Sequence, residues 1–190
     1  MRRLLFKSLL HGPLTEAAPR ADEAALAELA AQVNRTARRR LGRTLSIREV
    51  DAGSCNGCEL EIHALNNVLY DVERFGIRFV ASPRHADVLL VTGPVTANMR
   101  EALARTYQAT PDPKWVVAVG DCARDGGVFS GSYACVGGVA GVIPVDLHIG
   151  GCPPSPTSLL QGLLALVESV DSEGAGAEQP AAPRAKSAAP

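Results

Sequence analysis

Five cysteines are the residues of this sequence with the greatest chemical potential. Cys55 and Cys58 form a Cys-x-x-Cys pair, and Cys122, Cys135 and Cys152 follow one at a time. The amino terminus has no signal-peptide pattern, so we expect a cytosolic chain whose thiols stay reduced. An odd number of cysteines also fits poorly with a closed disulfide framework. The spacing therefore indicates metal or redox chemistry.

Three kinds of chemistry are open to such thiols. An iron–sulfur cluster takes one thiolate on each iron, and a Cys-x-x-Cys pair supplies two neighbouring ligands. A structural zinc ion takes four thiolates, although zinc ribbons normally have two short pairs and this sequence has one. A thioredoxin-like dithiol at Cys55 and Cys58 leaves Cys122 and Cys152 unexplained. The spacing alone leaves all three open.

Alternating strands and helices are predicted from Thr44 onward. Short apolar runs predict five strands, Thr44–Val50, Ile77–Ala81, Ala86–Thr92, Trp115–Val119 and Val142–Ile149. Apolar residues at helical spacing predict helices over Cys55–Phe75, from a Thr96 cap to just before Pro111, and from Ser155-Pro156 onward. Strands that alternate with crossover helices imply an α/β fold, a parallel sheet with helices on both faces.

Four of the five cysteines follow the ends of predicted strands. Cys55 and Cys58 follow the first strand, Cys122 the fourth and Cys152 the fifth. Open parallel sheets gather their binding sites at the carboxyl edge, so we expect these four thiols to converge. Neighbouring glycines allow close backbone approach and leave N–H groups free for cluster sulfurs. Cys135 lies inside a glycine-rich loop, and we expect it to be a small buried hydrophobe.

The two ends of the chain differ from its middle in composition. Residues 1–43 carry nine Lys/Arg and four Asp/Glu, and a predicted helix over 22–33 has a thin apolar stripe of Leu26, Leu29 and Val33. Such a helix can lie on an anionic membrane, dock on an acidic partner or stay solvated. Twelve of the last twenty residues are Ala, Gly or Pro, which is typical of disorder. We therefore predict a basic helical extension over 1–43, an α/β domain over 44–170 and a disordered tail over 171–190.

Composition argues against several classes of function. A net charge of −1 gives no field that would attract nucleic acid. The apolar stretches are shorter than the about 20 residues that cross a bilayer. The glycine-rich loop contains neither GxGxxG nor GxxxxGK[ST], so nucleotide binding is not supported.

Five short motifs occur in order between residues 54 and 154. They are SCNGCE at 54–59, SPRHAD at 82–87, TGPVT at 92–96, PVD at 144–146 and GCPP at 151–154. Together they resemble the complex I 20 kDa subunit family. Within that family the chain is most similar to the small subunits of membrane-bound, group 4 [NiFe]-hydrogenases of the formate hydrogenlyase and hydrogenase-4 type. The resemblance extends from about Leu45 to Leu166.

This resemblance implies a flavodoxin-like α/β fold that binds one [4Fe-4S] cluster through Cys55, Cys58, Cys122 and Cys152, with no catalytic residue in this chain. In such complexes the cluster lies beside the large subunit's active site, a nickel–iron centre in hydrogenases and a quinone cavity in complex I. It relays electrons between that site and a ferredoxin-like subunit. The resemblance also implies membrane-arm partners and a peripheral location on the cytoplasmic side of the cell membrane.

Two departures from family patterns refine this expectation. The complex I subunit typically has two adjacent cysteines at its first ligand position, whereas this chain has Cys55-Asn56-Gly57-Cys58, the hydrogenase-type spacing. The spacing favours a hydrogenase, and a complex I-like NADH/quinone oxidoreductase is the alternative. No cysteine follows Cys152, so we expect a single cluster. One cluster and no substrate site predict an electron-transfer subunit of an oxidoreductase that is catalytically silent alone.

Polar residues near the motifs have two interpretations each. Glu59 and Glu61 either serve the cluster or relay protons, or they are ordinary acids of a first helical turn. Arg84 and His85 either face the cluster or the partner's active site, or they only fix the turn before the third strand. A structural role is expected for the two other histidines of the domain, His63 and His148.

Overall fold

A parallel sheet of five strands organises residues 23–173, the part of the chain that the computed structural model describes. Its strands are β1 (Ser46–Asp51), β2 (Arg78–Phe79), β3 (Val88–Thr92), β5 (Trp115–Val119) and β7 (Leu147–Ile149). Their spatial order is β2-β1-β3-β5-β7, and every neighbouring pair is parallel. Two short strands, β4 (Val95–Thr96) and β6 (Cys135–Gly137), pair antiparallel. The order of the five sheet strands is the flavodoxin-like one, which confirms the predicted fold class.

Helices cover both faces of this sheet. They are α1 (Glu23–Leu41), α2 (Gly57–Ala64), α3 (Met99–Ala109), α4 (Asp121–Asp125) and α5 (Pro156–Glu173). Apolar residues of α1, α2 and α5 share one core cluster with Ile47 and Val88. Residues of α3 and α4 share the other with Leu89 and Val116. Strand β3 is therefore buried along its whole length, as its unbroken apolar run predicts.

Helix α1 is part of this core. Every third or fourth residue along it is apolar and buried, namely Leu26, Ala30, Val33 and Ala37. Ala30, Val33 and Ala37 pack in the same cluster as the buried leucines of α5. The predicted apolar stripe is therefore present. It packs inside the domain and does not face a membrane, a partner or solvent. The helix also continues beyond its predicted end to Leu41, and residues 1–22 lie outside the described part of the chain.

Helix α2 is shorter than predicted, because it ends at Ala64 rather than Phe75. The side-chain oxygen of Asn67 accepts the N–H groups of Leu69 at 2.8 Å and Tyr70 at 3.1 Å. This local turn competes with helical hydrogen bonds and ends the helix. The chain resumes as a 3-10 turn over Val72–Phe75, which stops at Gly76 as the sequence predicts.

Several other elements differ from their predicted bounds. Strands β1, β2 and β3 begin one or two residues later than expected. Strand β7 begins at Leu147 rather than Val142, because Pro144 has no N–H to donate to a sheet. Thr96 does not cap α3. Its hydroxyl donates to a backbone carbonyl after β1 at 3.1 Å, and Asn98 occupies the cap position.

Helix α5 begins where the sequence predicts. The Ser155 hydroxyl oxygen accepts the N–H of Ser158 at 3.2 Å, and Pro156 is the first helical residue. The helix runs to Glu173, so residues 171–173 are helical and only 174–190 of the predicted tail lie outside the described residues. Within residues 23–173 we find no helix with the length and apolarity that a membrane span needs.

Candidate metal centre

Four cysteines lie in loops at one edge of the sheet. Cys55 and Cys58 follow β1, Cys122 lies in α4 directly after β5, and Cys152 follows β7. Because these strands are parallel, their carboxyl ends point to the same edge. Cys55 and Cys152 are exposed, Cys58 is half-buried and Cys122 is buried. The structure therefore brings the four thiols to the edge at which the strand pattern predicts them.

Side-chain bonds to the backbone shape the loop that carries Cys55 and Cys58. The Asp51 carboxylate accepts two successive backbone N–H groups at 2.7 and 2.8 Å. The Ser54 hydroxyl oxygen then accepts the N–H of Asn56 at 3.1 Å. Asn56 has a left-handed backbone with φ of 70°, and α2 begins at the next residue. Cys58 thus lies in the first turn of a helix, where the helix dipole favours a thiolate.

The loops that carry Cys122 and Cys152 are joined to each other. The N–H of Asp121 donates to the carbonyl of Gly151 at 2.9 Å, and the N–H of Gly151 donates to the Asp121 carboxylate at 3.2 Å. The ring of His148 lies 3.0 Å from the carbonyl oxygen that follows β5. His148 is therefore structural, as expected. Asp121 is not among the residues that the sequence singled out, although its position directly before a candidate ligand is a signal.

Three of the cysteine loops meet at Gly120. Its φ is +86°, and a β-carbon there would lie 2.7 Å from the Cys58 sulfur and 3.3 Å from the carbonyl oxygen of Gly151. A β-carbon at Gly127 would similarly lie 2.8 Å from the Cys122 sulfur. The backbone therefore closes around two of the sulfurs at positions where only glycine fits.

Burial and neighbouring negative charge both act on these thiols. Burial, followed by the charges of Glu59 and of the three other cysteines at this edge, raises the pKa of Cys58 to about 12. Burial also raises the pKa of the Cys122 thiol, although the N–H of Val128 donates to its sulfur and opposes the rise. The charges of Cys152 and Cys55 raise it further. The four sulfurs thus lie within electrostatic range of one another.

This donor set fits an iron–sulfur cluster. Four thiolates are the ligands of a [4Fe-4S] cluster, and each of them binds a different iron. In the described range 23–173, no three His, Cys, Asp or Glu side chains are close enough to hold a single metal ion. A cluster does not need such a group, because its ligands are spread over four irons. Cationic iron would also offset the burial and mutual repulsion of the thiolates.

Glu59 is buried beside these thiols. It is 7% exposed, and neither carboxylate oxygen has a hydrogen-bond partner among the described residues. An acidic residue in the first turn of a helix is ordinarily exposed to solvent. The expectation that Glu59 is only such a residue therefore does not account for its burial. Glu49 of β1 is a second acid, which the sequence analysis missed although a charge in a predicted strand is a signal. Burial raises the pKa of Glu49, His63 opposes the rise and Glu59 adds to it.

Arg84 and His85 lie at the opposite edge of the sheet from the cysteines. They belong to a 3-10 turn, Pro83–His85, that precedes the amino end of β3. The Ser82 hydroxyl oxygen accepts the N–H of Arg84 at 3.4 Å, and the Ser82 carbonyl accepts that of His85 at 3.2 Å. The two residues fix this turn, and the hypothesis that they face the cluster is wrong.

Cys135 differs from the other four cysteines in its position in the fold. It pairs with Thr96 in the short β4–β6 sheet and is half-buried, so it is more exposed than the small core hydrophobe that we expected. Cys135 is not among the largest causes of the pKa shifts of Cys58 and Cys122. Unlike the four candidate ligands, it is not carried by a loop that directly follows one of the five parallel strands.

Comparisons with known proteins show the family of the chain. The family model for the NADH ubiquinone oxidoreductase, 20 Kd subunit, matches residues 55–166. Formate hydrogenlyase subunit 7 of Escherichia coli K12 is 46% identical over 149 residues, which are 75% of this chain and 58% of that protein. The chain thus spans less than two thirds of the length of that relative. A probable membrane-bound hydrogenase subunit of Pyrococcus furiosus is 46% identical over 130 residues, covering 68% of this chain and 78% of that protein.

A solved structure has a similar fold. It is a chain of the membrane-bound sulfane sulfur reductase, an archaeal respiratory membrane complex. The TM-score is 0.62 at 36% sequence identity, and the match covers 76% of this chain and 78% of that one. The matched family region includes all four cysteines of the sheet edge and extends over more than half of the chain. The chain therefore belongs to the family of the NADH ubiquinone oxidoreductase 20 Kd subunit, as its motifs indicate.

Proposed function

We propose that this chain is the electron-transfer subunit of a membrane-associated [NiFe]-hydrogenase complex of the formate hydrogenlyase type. It carries one [4Fe-4S] cluster, held by Cys55, Cys58, Cys122 and Cys152. The observation that carries this proposal is the convergence of four thiols from three loops at the carboxyl edge of a parallel sheet. Two relatives whose names include a hydrogenase or a formate hydrogenlyase support the type of complex.

The residues around the thiols prepare this edge for an electron carrier. The bound cluster supplies one-electron redox chemistry. Asp51 and Asp121 hold the ligand loops through backbone N–H groups, and Gly120 lets those loops approach closely. The buried carboxylate of Glu59 puts negative charge next to Cys58. Negative charge disfavours an arriving electron, so an ionised Glu59 lowers the reduction potential of the cluster.

The cysteine edge is also the surface that we assign to the large subunit. Two of the four ligands, Cys55 and Cys152, are exposed in the single chain. Leu60, Val128 and Tyr133 are 61%, 78% and 101% exposed, and they lie in the segments that follow Cys58 and Cys122. Exposed large apolar side chains are a feature of protein-binding surfaces. A large subunit bound there covers the cluster and shortens the distance that an electron travels between the cluster and the active site of that subunit.

The remaining partners follow from the same assignment. A ferredoxin-like subunit exchanges electrons with the cluster, and membrane-arm subunits hold the complex at the cytoplasmic side of the membrane. The relatives come from membrane-bound complexes, which supports a peripheral location. The proposed cluster carries one electron at a time and offers no position at which a substrate is bound or split. We therefore expect neither hydrogen evolution nor quinone reduction from the isolated subunit.

The equivalent subunit of a complex I-like NADH/quinone oxidoreductase is the second candidate. The description of the family model favours it, whereas the Cys55-Asn56-Gly57-Cys58 spacing favours the hydrogenase. The complex that copurifies with this chain distinguishes the two. Nickel in the large subunit and hydrogen-dependent dye reduction support the first candidate. A nickel-free complex with quinone reductase activity supports the second candidate.

Replacement of single cysteines tests the cluster. We expect Cys→Ser at position 55, 58, 122 or 152 to abolish or strongly reduce the broad visible absorption and the iron content of anaerobically purified protein. The reason is that each thiolate binds its own iron. Iron, acid-labile sulfide and electron paramagnetic resonance of the reduced protein are the measurements.

Cys135→Ser is the matched control, since Cys135 is a half-buried cysteine of the same chain outside the group. It is expected to keep full iron and colour. Colourless protein with one zinc per chain would instead support a structural zinc site. Metal-free protein with a reversible Cys55–Cys58 disulfide would support a dithiol. Either result contradicts the proposal.

A further inference from the structure

A second candidate site lies at the amino ends of the strands, opposite the cysteines. It is a cavity of about 510 Å³ between the start of β1, strand β2 and the turn before β3. Its wall includes Arg43, Ser46, Arg78, Arg84 and His85. None of these residues takes part in the cysteine site. The cavity is therefore separate from the proposed function.

The wall of this cavity has an excess of positive charge. Arg43 is paired with Asp87, a buried carboxylate that also accepts the N–H of Ser46 at 3.0 Å. Arg78 and Arg84 have no carboxylate partner within residues 23–173. Glu73 is the single acidic residue that lines the cavity in this described part. Two free guanidinium groups thus face one carboxylate.

The polar groups on the wall are mostly hydrogen-bond donors. A guanidinium group donates and never accepts, and its planar fork matches the oxygens of a phosphate or carboxylate. The volume of about 510 Å³ far exceeds the roughly 30 Å³ share of one water molecule, so it admits a phosphate ester. After the charge of Glu73 is subtracted, the two free guanidinium groups leave one positive charge, which an anionic phosphate ester balances. The net positive charge, the guanidinium donors and the size of the cavity together fit a phosphate group.

The basic surface continues from the cavity onto the end of α1. A β-carbon at Gly76 would lie 2.8 Å from the Thr44 methyl group and 3.0 Å from the side-chain oxygen of Asn34. That oxygen accepts the Nε–H of Arg38 at 3.2 Å. Thr44 also lines the cavity, so Arg38 lies at its margin. A phosphate in the cavity would therefore gain from further positive charge nearby.

We infer that this cavity binds a phosphate group, with Arg78 and Arg84 as its principal ligands and Arg43 held in place by Asp87. The phosphate belongs either to a phosphorylated small molecule or to the headgroup of an anionic lipid. Both sources present tetrahedral phosphate oxygens to the arginines, three terminal oxygens in a monoester and two in a phosphodiester headgroup.

Binding of inorganic phosphate to the purified full-length chain tests this inference. Calorimetric titration at constant ionic strength, with chloride as the replaced anion, is expected to show saturable binding. Arg78→Gln and Arg84→Gln are each expected to weaken it by about tenfold, the effect of one lost charged hydrogen bond. Arg105→Gln is the matched control, because Arg105 is an exposed arginine on α3 outside the cavity. It is expected to leave the affinity unchanged.

Sedimentation with vesicles distinguishes the two sources. Binding to phosphatidylglycerol vesicles that phosphate competes away supports the lipid headgroup, whereas phosphate binding without vesicle binding supports a small molecule. No saturable binding of either probe overturns the inference. Equal loss in the Arg105→Gln control, or unchanged binding in the Arg78→Gln/Arg84→Gln double variant, also overturns it. Both cavity arginines are exposed, and circular dichroism checks that the variants are folded.

Discussion

At the scale of single residues, the candidate site depends on glycines that leave room for the sulfurs as well as on the cysteines themselves. Gly120 has a left-handed backbone, and the Cys58 sulfur and a neighbouring loop occupy the place of its missing side chain. Gly131 has a similar φ of +80°, but a β-carbon there would meet nothing within 4 Å. Alanine at Gly131 therefore adds backbone strain alone, whereas alanine at Gly120 adds strain and crowding at the candidate metal centre.

Gly120→Ala is expected to fold with strongly reduced iron content, because its methyl group displaces a ligand sulfur. Iron per chain and visible absorption after anaerobic purification are the measurements. Gly131→Ala is the control, and we expect normal iron with a stability loss of about 1–2 kcal/mol from the strained backbone. Full iron in the Gly120→Ala protein would show that the loops do not need this close approach.

Packing of whole elements decides what belongs to the domain. The sequence marks residues 1–43 as basic, and charge suggests an extension separate from the rest. Its helix α1 nevertheless places Ala30, Val33 and Ala37 in the same core cluster as the leucines of α5. Exposed charged residues lie on the outer side of α1, where Arg35 pairs with Glu28 at 2.5 Å. This narrow apolar stripe is enough to hold α1 in the domain because the leucines of α5 pack against it.

Val33→Ala is therefore expected to destabilise the whole domain by about 1–3 kcal/mol, since it leaves a cavity between α1 and α5. The shift of the urea unfolding midpoint is the measurement. Gln32→Ala changes the neighbouring, exposed position of the same helix and is expected to have little effect. An unchanged midpoint in the Val33→Ala protein would mean that residues 1–43 form an independent extension.

The whole molecule has two different edges. The carboxyl edge of the sheet carries the thiols and the exposed side chains of Leu60 and Tyr133, whereas the amino edge carries the arginine-lined cavity. A parallel sheet produces this polarity, because all of its strands begin at one edge and end at the other. An electron partner and an anionic ligand can therefore bind at the same time without competing for surface.

Leu60→Ser combined with Tyr133→Ser is expected to reduce copurification of the large subunit while the cluster remains, because both residues are exposed and neither is a ligand. Ala102→Ser, an exposed change on α3, is the control and is expected to leave the complex intact. Affinity purification through this chain, with iron measured per chain, gives both quantities. Full recovery of the large subunit with the double variant would place the interface elsewhere.

Much of the fold is encoded locally. The buried strands at Val88–Thr92 and Trp115–Val119 are continuous apolar runs, and the start of α5 is a Ser-Pro cap. The predicted bounds of an element are wrong where a side chain competes for backbone hydrogen bonds, as Asn67 does beyond the end of α2. They are also wrong where one residue removes a donor, as Pro144 does before β7.

The sequence by itself determined the order of strands and helices, the family of the chain and the cysteines that follow the strand ends. Only the tertiary structure decided which distant groups meet. It buried Glu59 beside Cys58, moved Arg84 to the opposite edge and joined Asp121 to the Cys152 loop. Spacing along a chain specifies local conformation, whereas burial, charge coupling and close approach depend on atoms that the folded sheet brings together from separate segments.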